Sequence, residues 1–170
     1  MKNIVLTGFM ASGKTTVGKI LSKKLGYTFY DTDSMIEENE KRKISDIFSC
    51  EGEEYFRSLE NKISAEFKTV SDSVISTGGG FVLNPENIEN LKNNGIVFYL
   101  NVSPDIIAKR YITARAQRPL MKNNDLDEVL KRYENRRKFY ENCDIIVDIS
   151  TDLSPEEICE IIIEKYKNLL

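Results

Sequence analysis

Gly8-Phe9-Met10-Ala11-Ser12-Gly13-Lys14-Thr15 fits the pattern G-x-x-x-x-G-K-[ST], with a short apolar strand, Asn3 to Thr7, before it and a helical segment after it. The glycines let the backbone curl so that successive N–H groups face one anion at the positive end of the following helix. In that setting Lys14 places its ammonium against the β- and γ-phosphates, and the Thr15 hydroxyl holds Mg²⁺. Four fixed positions with the correct flanks point to a nucleoside triphosphate rather than to a chance glycine-rich turn.

Outward from this loop, strand-like and helix-like segments alternate. Val17, Ile20, Leu21 and Leu25 form one helical face, which Gly26 stops. Tyr27 to Tyr30 reads as a second strand, closed by Asp31-Thr32-Asp33, and Ser34 with Glu37 reads as a capping box for a short helix. Phe56, Leu59, Ile63 and Phe67 mark a longer helix over residues 53–68, and Val74 to Thr77 is a third strand running into Gly78-Gly79-Gly80. Asn84-Pro85 opens the next helix and Asn94-Gly95 ends it. Ile96 to Val102 is a fourth strand, and Ser103-Pro104 starts the helix after it. Thr113 to Asn124 is polar and basic without periodicity; helix resumes from Leu126 to Tyr140. Ile145 to Ile149 is the fifth strand, and Ser154-Pro155 with Glu157 caps a last helix. Strands separated by helices imply crossover units and a mostly parallel sheet covered on both faces. Ligands of such sheets sit beyond the strand C-termini, where every unusual segment above falls.

The bulk numbers agree with one globular domain over residues 1–170. Hydrophobic residues are 41% and charged residues 30% of 170, enough for a real core. Lys plus Arg is 24 against 27 Asp plus Glu, a net charge of -3, so no basic envelope for nucleic acid is expected. The short apolar runs predict neither a membrane span nor a cleaved signal peptide. There is no histidine, which removes histidine bases, Ser-His-Asp triads and His-ligated zinc. Cys50, Cys143 and Cys159 are odd in number and form no C-x-x-C pair, which predicts a reduced, cytoplasmic chain.

Several polar residues are candidates for chemistry. Asp31 and Asp33 lie on one side of the second strand's end, one positioned for the metal shell and one for a substrate hydroxyl; helix capping is the competing use of Asp33. Arg57 points away from its helix's apolar stripe, and Arg136 sits in the run Arg136-Arg137-Lys138. Two converging guanidiniums suit a carboxylate, although each alone also suits solvent or an ion pair. Gly78-Gly79-Gly80 offers close backbone approach to a polar ligand, or merely a tight turn. The stretch with Arg115, Arg118 and Lys122 reads as a mobile lid over about 113–124, able to bring an arginine to a migrating phosphoryl group.

In order and spacing, the phosphate loop, Asp31-Thr32-Asp33, Gly52-Glu53-Glu54-Tyr55-Phe56-Arg57-Ser58-Leu59-Glu60, Thr77-Gly78-Gly79-Gly80, Arg118-Pro119-Leu120 and Arg136 with Tyr140 resemble the shikimate kinase family, in the nucleoside-monophosphate-kinase branch of phosphate-loop proteins. The resemblance spans nearly the whole chain. It implies a three-layer α/β kinase fold with a five-stranded parallel sheet in the order 2-3-1-4-5 and a mobile lid. It implies transfer of the ATP γ-phosphoryl group to the 3-hydroxyl of shikimate, on the way to chorismate and the aromatic amino acids, by a cytoplasmic monomer.

Residue by residue, it implies ATP contacts from Ala11, Ser12, Gly13, Lys14, Thr15 and Thr16, with Arg110 on the adenine side and Arg118 as the lid arginine. Mg²⁺ falls to Thr15 and Asp31. Asp33, the candidate base, would grip the ring hydroxyls within a substrate-binding segment of about 31–60; Arg57 and Arg136 would hold the carboxylate, and Gly79 would contact a hydroxyl. Two departures stand out: the family's frequent Arg-Asn-Pro is here Arg136-Arg137-Lys138, and its Ala-Asp is Cys143-Asp144. Arg137 therefore offers a competing register for the carboxylate contact. Gluconate or nucleotide kinases are the neighbouring alternatives. A guanine-nucleotide switch is disfavoured, since Asn61-Lys62-Ile63-Ser64 lacks the aspartate of a guanine reader.

Overall fold

The computed structural model describes residues 1–117 and 126–169. Five parallel strands, β1 (Asn3–Thr7), β2 (Thr28–Asp31), β3 (Ser73–Ser76), β4 (Gly95–Val102) and β5 (Ile145–Ile149), form a sheet in the order β2-β3-β1-β4-β5. Central β1 pairs Val5 with Ile75 on one side and Val97 on the other, and every residue of it is buried. A strand buried on both faces reads as a continuous apolar run, as Ile4-Val5-Leu6 does.

Helices cover the sheet: α1 (Lys14–Leu25), α2 (Thr32–Glu40), α3 (Ile44–Glu51), α4 (Glu53–Glu66), α5 (Pro85–Lys92), α6 (Pro104–Gln117), α7 (Leu126–Tyr140) and α8 (Pro155–Lys167). α1 lies on β1, β2 and β3 with α8 beside it, while α5 lies on β4 with α4 beside it. Gly26 ends α1 in the left-handed conformation, its N–H bonded to the Ser22 carbonyl. Ser154 and Glu157 form the reciprocal capping box at the start of α8. Asn84 caps α5 with Pro85 in the first turn. Among the described residues, no helix is long and apolar enough to cross a membrane.

Several boundaries, and one whole helix, depart from the sequence reading. The cap of α2 is Asp31, whose Oδ1 accepts from Ser34 N at 3.2 Å, not Ser34. Glu37 instead reaches the next helix, accepting from Ile44 N at 3.0 Å and from Lys43 Nζ at 2.9 Å. The reason is that Asp31, three residues before Ser34, takes the amide of Ser34 itself and so starts the helix three residues sooner. α3 was not anticipated at all. Residues 67–69 form a separate 3₁₀ turn after α4, and Gly95 opens β4 rather than closing α5. Finally, Thr113–Gln117 continue α6 instead of breaking the pattern, since alanine, arginine and glutamine favour helix without needing an apolar face. The rest of the expected lid, with Arg118 and Lys122, lies outside the described residues.

Candidate active site

The loop between β1 and α1 curls through Gly8 at φ 150°, Ala11 at φ 60° and Gly13 at φ 90°. Gly13 is the N-cap of α1, so the free amides of the helix's first turn open into the loop. Lys14, only 9% exposed, folds back across it: its Nζ donates to the carbonyls of Gly8 at 2.7 Å and Phe9 at 2.9 Å, and to Ser12 Oγ at 3.2 Å. Burial lowers the Lys14 ammonium to about 8, against the pull of Asp33 and Asp31. A buried cation held only by carbonyls and a hydroxyl is well placed for an anion.

Next to it, Thr15 Oγ1 donates to Asp31 Oδ2 at 2.9 Å, with Ser76 Oγ at 3.5 Å. This is a cluster of hard oxygen donors, of the kind magnesium takes together with phosphate oxygens and water. Among the described residues, no group of three or more Asp, Glu, Cys or His gathers that would cage a metal by itself. The site thus fits a metal carried in on a triphosphate.

The third element is the turn after β3. Thr32 Oγ1 accepts from Gly78 N at 2.9 Å, which presses Asp33 of α2 onto Gly78 so closely that a Cβ there would overlap Oδ1. Two residues on, a Cβ on Gly80 would lie 2.5 Å from Nη1 of Arg57. Between them, the Gly79 carbonyl accepts from the Tyr140 hydroxyl, and Tyr140 is also a hydrogen-bond neighbour of Arg136. The Tyr140 ring is held by stacking on Tyr99, centroids 5.1 Å apart. Three glycines therefore seat three side chains from three helices. Burial first, then the like charge of Asp31, raises the Asp33 carboxyl above the ordinary range, opposed by Lys14 and Arg57. Burial likewise lowers the Arg136 guanidinium, aided by the like charges of Arg57 and Arg132.

Arg57 and Arg136 act electrostatically on each other and both on Glu60. Arg137 does not join them: it is exposed and lines a separate small cleft with Asn101, Ser103, Tyr133 and Asp148. Of the two registers, Arg136 is the one whose guanidinium acts on Arg57 and Glu60.

On the other side of the phosphate loop, Ala11, Ser12, Gly13 and Thr16 line an open cleft of ≈ 650 Å³ with Arg110, Asp152, Ser154 and Pro155. Arg110 bridges the rim, donating from Nη1 to the Ala11 carbonyl at 3.0 Å and from Nη2 to Asp152 at 3.5 Å. Lys14 follows Gly13 of this cleft and is also within the electrostatic reach of Asp33.

Sequence reading missed three of these residues. Glu53 and Glu60 flank Arg57 at 2.9 Å and 2.7 Å, and their i,i+4 and i,i+3 spacing to Arg57 was the available signal. Asp152 had no local signal, since its partners Lys109 and Arg110 come from a different helix.

Residues 10–167 match the family model described as shikimate kinase. A shikimate kinase of Caldicellulosiruptor saccharolyticus is 46% identical over 165 residues, 96% of this chain and 94% of that one. One of Thermoanaerobacter pseudethanolicus is 44% identical over 170 residues, 99% and 98% of the two chains. Among solved structures, the shikimate kinase of Acinetobacter baumannii in complex with shikimate superposes with a TM-score of 0.86 at 32% identity, covering 100% of this chain and 96% of that one.

Proposed function

Because the chain belongs to the shikimate kinase family, we propose that it transfers the γ-phosphoryl group of ATP to the 3-hydroxyl of shikimate through the residues gathered at the Gly78–Gly80 turn and the phosphate loop. It is an ATP-dependent phosphotransferase of the shikimate pathway. The observation that carries the residue assignment is the turn itself, which seats Asp33 at one end and Arg57 at the other, with Tyr140 on the glycine between them.

In this reading the shikimate carboxylate lies against Arg57 and Arg136, which offer the paired N–H geometry a carboxylate accepts. That fixes the ring so that its 3-hydroxyl meets Asp33, while Gly79 contacts a neighbouring hydroxyl. Burial raises the proton affinity of Asp33, which suits a base that takes the hydroxyl proton as oxygen attacks the γ-phosphorus. The bond between that phosphorus and the β,γ-bridging oxygen breaks, and the electron pair leaves with ADP. Lys14 exchanges its carbonyl partners for phosphate oxygens and neutralises the charge growing there. Thr15 and Asp31 hold Mg²⁺, which supplies charge neutralisation on the triphosphate. Ala11, Ser12, Gly13 and Thr16 hold the phosphates and Arg110 the adenine side; Arg118 is the proposed lid arginine. ATP and the reduced state of all three cysteines, free here, suit a cytoplasmic monomer of one domain.

Steady-state kinetics with shikimate, varied polyols and nucleotides test the assignment. Lys14→Ala abolishes turnover, and Asp33→Ala lowers kcat by about 10²–10⁴-fold. Arg57→Ala raises the KM for shikimate by about thirtyfold or more, the cost of removing one partner of a desolvated charge pair. Near-normal kcat in Asp33→Ala removes that residue from the mechanism, and an unchanged KM in Arg57→Ala removes the carboxylate seat.

A further inference from the structure

Under the acceptor seat lies a carboxyl group that the reaction does not use. Glu60 is 1% exposed; its Oε2 accepts from Arg57 Nη1 at 2.7 Å, while its Oε1 is buried and meets no donor among the described residues. Arg57 spends Nε and Nη2 on Oε1 of Glu53, whose side chain is 62% exposed. An incoming carboxylate can push Glu53 aside into water. It cannot push Glu60 anywhere.

The charged groups acting on Glu60 are Arg57 from its own helix, Asp33 from α2 and Arg136 from α7. α3 and α5, which also pack on α4, turn Ile47 and the uncharged Asn87, Ile88, Asn90 and Leu91 inward. Two guanidiniums thus already face Glu60 and Asp33, with Glu53 on the solvent side of Arg57, before any acceptor arrives. Docking replaces the exposed Glu53 on Arg57 with a carboxylate held inside the seat, beside Glu60 and Asp33, and like charges in one site raise each other's proton affinity. At Asp33 the Lys14 ammonium opposes the rise that burial and Asp31 cause. Glu60 has a vacant oxygen, and burial has already pushed its carboxyl up to about 7.

We propose that docking of the acceptor carboxylate against Arg57 and Arg136 draws a solvent proton onto Oε1 of Glu60, so that the seat takes up acid and proton together. This rests on the shikimate reading above. Protonated, Glu60 still accepts from Arg57 through Oε2, so the guanidinium keeps its place while its charge is freed for the substrate.

The sign of the pH dependence follows. Below pH 7 Glu60 is protonated with and without acceptor, and binding moves no proton. Above it, binding must recruit one, so the dissociation constant rises with pH, by up to about tenfold per unit, until the pH passes the bound-state value.

Isothermal titration of shikimate into the protein at pH 7.5, in phosphate and in Tris, reads the protons taken up from the difference in heats. The wild type takes up roughly half a proton or more. Glu60→Gln binds shikimate with no buffer-dependent heat and a Kd that stays flat between pH 7 and 9, whereas Glu53→Gln keeps the uptake. Saturable binding without uptake in the wild type, or equal uptake in Glu60→Gln, overturns the proposal. Failure of shikimate to bind the wild type at all overturns the shikimate reading, and this inference with it. Carbon-13 titration of the glutamate carboxyls in the wild type needs no variant: one resonance titrating near 7 must move upward when shikimate is added, and its staying put refutes the idea.

Discussion

A methyl group on Gly78 would overlap the Asp33 carboxylate, and one on Gly80 would sit 2.5 Å from the Arg57 guanidinium. In both cases the obstacle is the far end of a flexible side chain, so the chain relieves the clash by moving the functional group and leaves the backbone in place. The two alanines therefore separate two roles. Gly78→Ala displaces the base and lowers kcat by about 10²-fold, the cost of a shift near 1 Å at the reacting centre, with KM for shikimate little changed. Gly80→Ala tilts Arg57 and raises that KM with a smaller effect on kcat. Thermal melts of both variants remain within a few degrees of wild type. A Gly78→Ala enzyme with full kcat, or a KM effect from both alanines and no kcat effect from either, contradicts this division.

At the scale of elements, caps decide where the site's helices begin. Asp31 both ends β2 and caps α2, and with its other oxygen accepts from Thr15, so one carboxylate fixes the entry of the acceptor helix relative to the phosphate loop. Sequence spacing showed an aspartate pair at a strand end but not which member caps; that choice depends on the strand's last hydrogen-bonded residue. α3 was invisible for a related reason. It follows α2 across Lys41, a non-glycine residue at φ 55°, so neither glycine nor proline marks the break, and its eight residues bury only Ile47. The capping box of α8, by contrast, was legible because Ser154 and Glu157 satisfy each other's backbone amides within four residues. Ser154→Ala removes the hydroxyl that accepts from Glu157 N at 3.2 Å and costs about 1 kcal/mol. That lowers the melting temperature by roughly 2–4 °C in a chain of this size. Because Ser154, Pro155 and Glu157 also line the nucleotide cleft, fraying this turn raises the KM for ATP and leaves that for shikimate unchanged. An unaltered melting curve refutes the cap's contribution.

Over the whole molecule, parallel order does what no local segment can. β1 and β3 are neighbours, so the phosphate loop and the Gly78–Gly80 turn leave the sheet side by side. The strand alternation and the phosphate loop were legible because both are local patterns. The grouping of Asp33, Arg57, Tyr140 and Arg136 around one turn needed the three-dimensional order, and the resemblance supplied it only by position. Glu60 escaped notice because its meaning lies in burial, which a single charged letter on a helix does not reveal. In the proposed reading an acceptor seat at Asp33 and Arg57 and a nucleotide cleft at Ala11, Ser12, Gly13 and Arg110 are separate, with Lys14 next to both, and each ligand binds the folded state alone. A ligand at a hundred times its Kd stabilises by about 2.7 kcal/mol, or roughly 5–10 °C for a chain of this length. Shikimate and ADP each produce such a rise in a thermal melt. In Arg57→Ala the shikimate rise falls to about a third or less and the ADP rise stays; in Lys14→Ala the ADP rise shrinks and the shikimate rise stays. If either folded variant loses both, seat and cleft are one cooperative site and their separation is wrong.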